Sequence, residues 1–157
     1  MIKIDNNFIE ETSKKAKTSA RRRMNFNFHQ SPDDTMHRML NAMEPDTYIQ
    51  PHKHENPDKS EAFFCLRGRL LVVEFSDDGK ITDAIILDPQ NGNFGCEIAP
   101  RVWHSIISLQ SGSVAYEVKD GPYDPDNDKH FAAWSPAEGD PDAELFNKKV
   151  LEELGVE

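Results

Sequence analysis

Cysteine is scarce in this chain: Cys65 and Cys96 are the only two, and they sit in strand-like segments with no repeated spacing. That count argues against a disulfide scaffold and for ordinary buried thiols in a reducing cytoplasm. Long apolar runs are also missing. No stretch approaches the roughly 18 to 20 residues needed to span a bilayer, and Met1-Ile2-Lys3-Ile4-Asp5 lacks the apolar segment of a signal peptide. Basic residues are outnumbered, with 18 Lys and Arg against 28 Asp and Glu and a net charge of -10. Affinity for phosphate backbones comes chiefly from Lys and Arg, so nucleic acid is not an expected partner. The one basic run, Arg21-Arg22-Arg23, is short and reads as a solvated patch. A soluble cytoplasmic protein with neither membrane nor nucleic-acid partner is expected.

What is present fits one domain of 157 residues, large enough to bury a core without staples. Residues 6 to 18 place Phe8, Ile9, Thr12 and Ala16 on one helical face, with glutamates early and lysines late. From Arg23 to His29, polar residues alternate with Met24, Phe26 and Phe28, as in a half-buried strand. Ser31-Pro32-Asp33-Asp34 supplies a turn and an N-cap, and the spacing of Met36, Met39, Leu40 and Met43 predicts a helix to about Glu44. From Thr47 the texture changes to short strands separated by turn signals, the pattern of an all-β sandwich or barrel. Strands are expected near 47 to 53, 61 to 67, 69 to 76, 81 to 87, 95 to 99, 103 to 109 and 113 to 119, with joints at Gly68, Asp77-Asp78-Gly79, Pro89 to Asn93 and Ser111-Gly112. The expected layout is therefore helix, strand and helix over 1–46, a barrel over 47–119, and an acidic arm with a last helix, Ala143 to Leu154, over 120–157.

The chemistry lies in Pro51-His52-Lys53-His54, Glu61 and the distant Pro100-Arg101-Val102-Trp103-His104. Alternate residues of a strand share a face, so His52 and His54 project together with Tyr48 and Gln50 behind them. Glu61 starts the next strand with Phe63 and Cys65 on its side, and His104 arrives on a third. Three imidazoles and a carboxylate from separate strands suit one borderline divalent cation, and iron, manganese, nickel, cobalt and zinc all accept such a set. The competing solution is a metal-free polar core, which would have to bury three imidazoles and a carboxylate with every hydrogen bond paired. His29 and His37 read as strand and helix surface residues, and the acidic cluster around His130 lacks the spacing of a calcium loop.

His52-x-His54, Glu61 and Gly68 resemble the first cupin motif, with six residues between the second His and the Glu where three or four are usual. Gly95, Pro100 and His104 resemble the second, without the usual Gly after the Pro and with the Pro-to-His interval one residue shorter. Further stretches resemble the WbuC family of cupin-fold metalloproteins: Ala20 to Arg23, Ser31 to Asp34, Arg38 to Asn41, Thr47 to His54, Val102 to His104 and Lys119-Asp120-Gly121-Pro122-Tyr123-Asp124-Pro125. The resemblance implies an all-β, cupin-type double-stranded β-helix or jelly-roll barrel with flanking helices, a divalent metal on His52, His54, Glu61 and His104, a homodimer, and an association with polysaccharide and O-antigen biosynthesis. Four protein ligands on a metal that accepts six leave two positions for water or ligand oxygens. Tyr48, Gln50, Phe63 and Tyr116 are the expected lining of a pocket for a small sugar-related or carboxylate ligand. Whether that ligand is turned over, or only bound by a sensing module, stays open.

Overall fold

Ten strands and two helices build the fold in a computed structural model that describes residues 1–156. Helix α1 spans Asn6–Thr18. Strands β1 (Arg23–Asn27), β2 (Met36–Met43), β3 (His52–Lys53), β4 (Glu61–Arg67), β5 (Leu70–Phe75), β6 (Ile81–Leu87), β7 (Gly95–Ile98), β8 (Trp103–Ser108), β9 (Ser113–Asp120) and β10 (His130–Phe131) follow, and helix α2 covers Ala143–Leu154. The strands form two five-stranded sheets in the orders β1-β2-β9-β4-β7 and β10-β3-β8-β5-β6. Every neighbouring pair is antiparallel, and the whole is a jelly roll, the double-stranded β-helix expected from the sequence.

Alternation decides what each face carries. Inward residues Met43, Phe63, Cys65, Leu70, Val72, Ile98, Ile106 and Ala115 fill the space between the sheets. Outward Leu40, Ala42 and Val114 lie under Ile9 and Ala16 of α1. On the other sheet, outward Leu71, Val73, Phe75 and Ile107 lie under Val150 and Phe146 of α2. Asp5 caps α1 by accepting from the amide of Phe8 at 3.1 Å. At the β4–β5 corner Gly68 has φ of +82°, and a Cβ there would meet the Cα of Ser113 at 2.8 Å, so only glycine fits.

The structure corrects one element. Residues 36 to 43 are strand, not helix, paired over their full length with β9 and over Met39 to Met43 with β1. The reason is double burial: Leu40 and Ala42 face α1 while Met43 faces the barrel interior. A strand buried on both sides loses the period-two alternation and can mimic helical spacing. The strand expected over 47–53 shrinks to His52–Lys53. The arm after Asp120 contributes β10, which pairs with β3 in the register His130↔Lys53 and Phe131↔His52. Among the described residues no helix is long and apolar enough to cross a membrane.

Candidate metal centre

His52 and His104 are direct cross-strand partners on β3 and β8, with ring centroids 4.5 Å apart. His54 follows one step past the end of β3, and Glu61 faces them from the opposite sheet at the start of β4. Each of the four offers one ligand atom within 4.8 Å of the others, and all four residues are only 2–3% exposed. The cluster therefore bridges the two sheets near one end of the barrel.

Hydrogen bonding fixes which nitrogen points inward. Nδ1 of His52 lies 2.9 Å from the Gln50 carbonyl, Nδ1 of His104 lies 2.9 Å from that of Val102, and Nδ1 of His54 meets that of Asp128. A carbonyl oxygen only accepts, so each Nδ1 carries the proton and each Nε2 presents a lone pair to the centre. Nε2 of His104 and of His54 then sit 2.8 and 3.2 Å from the same oxygen of Glu61, and Nε2 of His52 has no partner. Acceptors converge on acceptors in a space closed to water. A cation resolves this where a neutral network cannot, so the donor set fits a divalent metal. Protonation states agree. Burial holds the His52 imidazolium form well below its usual range. For Glu61 burial opposes charge, and its carboxyl is held well below the usual range by hydrogen bonds and charge from the His104 and His54 rings in their protonated form; with neutral rings a bound cation has to take that part. A neutral imidazole and an ionised carboxylate are the ligating forms.

The structure places the four expected pocket residues differently. Phe63 lies in the barrel core two residues along from Glu61. Gln50 is tied through its amide to the Ala132 carbonyl at 3.3 Å while its own carbonyl orients His52. Tyr48 donates its hydroxyl to the Pro136 carbonyl at 2.8 Å and packs on Phe146 of α2, so it is not brought to the cluster. Tyr116 is outward on β9, against Phe28 and the α1 layer, with its neighbour Glu117 turned inward.

Sequence reasoning missed the charged wall beside the cluster. Lys119 stands opposite Glu61 in the β4–β9 register. Buried Asp128 receives Lys59 at 2.7 Å and Lys119 at 2.5 Å, while its backbone orients His54. Glu117 accepts from Asn41 at 3.0 Å. Alternation along Ser113–Asp120 carried the signal: Glu117 and Lys119 share the inward parity of Ala115. A cavity of about 670 Å³ adjoins this wall and is lined by Asn25, Asn27, Asn41, Glu117, Lys119 and Lys129 among others.

A family model described as "Domain of unknown function (DUF6016)" matches residues 4–87, a span that carries His52, His54 and Glu61. No curated protein matches the chain. Solved structures do match in fold. KdgF from Halomonas sp. aligns with 14% identity and a TM-score of 0.52 over 69% of this chain and 87% of its own. The capsular polysaccharide assembling protein CapF from Staphylococcus aureus aligns with 19% identity and a TM-score of 0.58 over 73% of this chain, which spans only 30% of CapF. L-ribose isomerase from Cellulomonas parahominis, solved with L-ribose, aligns with 14% identity and a TM-score of 0.53 over 71% of this chain and 69% of its own. At these identities the likeness is one of fold.

Proposed function

The chain belongs to the DUF6016 family, and we propose that it is a mononuclear metalloprotein in which His52, His54, Glu61 and His104 hold one divalent ion beside a pocket for a small sugar-related or carboxylate ligand. The observation that carries this reading is the convergence of two Nε2 atoms, of His104 and His54, on one Glu61 oxygen, with the orphaned Nε2 of His52 in the same buried cluster. Bound there, the ion would supply Lewis acidity to a ligand oxygen. The chain's own contribution is orientation: three backbone carbonyls lock the rings, and burial of all four donors excludes water. The resemblance to the WbuC family supports a role in polysaccharide biosynthesis. Fold neighbours named for capsular polysaccharide assembly and for L-ribose isomerisation support a sugar-related ligand. The same reading takes the protein as cytoplasmic, on its two unpaired thiols, and as a homodimer, on the cupin resemblance.

The second reading is a binding or sensing module without turnover. It is favoured by the near-complete burial of the four donors and by a cavity lined by the neighbouring wall rather than by the donors themselves. Both readings share one test. Tag-free protein is analysed for metals, then titrated calorimetrically with hydroxy acids and free sugars before and after chelator treatment. About one transition-metal ion per chain, with ligand heats that vanish on stripping, is expected. Wild-type protein that takes up no metal when supplied with all five candidate ions would overturn the proposal.

A further inference from the structure

Lys129 differs from the other lysines around the cluster. Lys59 and Lys119 are both paired with the buried Asp128. The Lys129 ammonium makes no ion pair or side-chain hydrogen bond among the described residues, although it lines the same cavity as Glu117, Lys119 and Asp128. It is exposed by area and lines the cavity. Surrounding protein removes enough bulk water that desolvation holds this ammonium below the usual lysine range, against the pull of Glu61 and Glu117.

Charge at this wall runs opposite to charge on the molecule. Among the charged side chains that line the cavity, Arg21, Arg23, Lys119 and Lys129 are basic and Glu117 and Asp128 acidic, in a chain whose net charge is -10. A concave, partly desolvated surface focuses such a field. Across the cavity β1 and β2 contribute three amides beside Arg23, His37 and Met39: Asn25 donates to Asn27 at 2.6 Å, and Asn41 donates to Glu117 at 3.0 Å. Side-chain amides and one carboxylate offer the paired donors and acceptors that hydroxyl groups require. The volume, about 670 Å³, lies within the range of small-molecule sites.

We propose that this cavity is an anion subsite for a small polyhydroxylated carboxylate, whose carboxylate is held by Lys129 and whose hydroxyls are read by Asn25, Asn27 and Asn41. It rests on the reading above that this end of the barrel takes a small oxygen-rich ligand, and it adds that the ligand is charged and which side chain holds the charge. Lys129 makes no ion pair among the described residues, so Lys129→Met is expected to remain folded, with a melting temperature close to that of wild type.

The test uses metal-loaded protein and two probes of equal length, D-gluconate and its uncharged counterpart D-glucitol, by calorimetry at low ionic strength. Gluconate is expected to bind more tightly than glucitol to the wild type. Lys129→Met weakens gluconate by roughly ten- to a hundredfold, the loss of one charge-assisted contact, and leaves glucitol unchanged, while Lys129→Arg retains most of the preference. Equal affinity for the two probes, or gluconate affinity indifferent to Lys129→Met, overturns the subsite. Metal content is measured on the same samples. Lost metal with a preserved Lys129 effect sinks the metal reading alone, and retained metal with no Lys129 effect sinks the subsite alone.

Discussion

His52 spends its one ring proton on the Gln50 carbonyl and leaves its other nitrogen bare in a closed space. Replacing it by alanine removes a ligand, so metal content in His52→Ala is expected to fall from about one ion per chain to near zero after dialysis, read by elemental analysis. Glu117 gives a pH dependence. Burial, then the charge of Glu61, pushes its carboxyl up to about 7 from 4.5. Between those values the folded state binds a proton that the unfolded state releases, so stability falls as pH rises from about 4.5 to about 7, by up to about 3 kcal/mol. In chelator-treated protein, Glu117→Gln should flatten that slope and gain stability above pH 7 in urea melts. A cation at Glu61 offsets the second cause, so the slope should be shallower with metal bound. The four side chains that cluster were legible in the sequence because three imidazoles and a carboxylate stand at matching strand parity. Tyr116 was not, because an aromatic looks alike on either face of a sheet and only Glu117 beside it marked which face was polar.

Among the elements, the arm between β9 and α2 has the most to do with the centre. Its Asp128 orients His54 through the backbone and pairs with two lysines through the side chain. Asp128→Asn keeps the shape and strands two buried ammoniums, which is expected to cost about 3 to 5 kcal/mol. Hydrogen exchange should then quicken first at His130 and Phe131, whose strand lies nearest the lost pair. The arm was legible only as a Pro- and Asp-rich crossing, since a two-residue strand leaves no periodic pattern. Strand β2 was misread for the opposite reason, having apolar contacts on both faces. Helix α1 and helix α2 were readable to the residue because each packs one stripe against a sheet and turns the other to solvent.

For the molecule as a whole, the four clustered side chains join the sheets: His52 and His104 belong to the one ordered around β3 and β8, His54 follows β3 directly, and Glu61 belongs to the other. A ligand that binds only the folded state stabilises it in proportion to the logarithm of its saturation. Chelation should therefore lower the melting temperature of wild type and leave that of His52→Ala unmoved in the same scan. Sedimentation equilibrium is expected to give twice the chain mass of 17.9 kDa for the proposed homodimer, and a single chain mass would remove that part of the reading. The most direct measurement is an anomalous difference map from crystals of tag-free protein at the absorption edge of the metal found by elemental analysis. One peak about 2.0 to 2.3 Å from the Nε2 atoms of His52, His54 and His104 and from a Glu61 oxygen is expected. No peak among those four side chains, with metal found elsewhere or not at all, would contradict it.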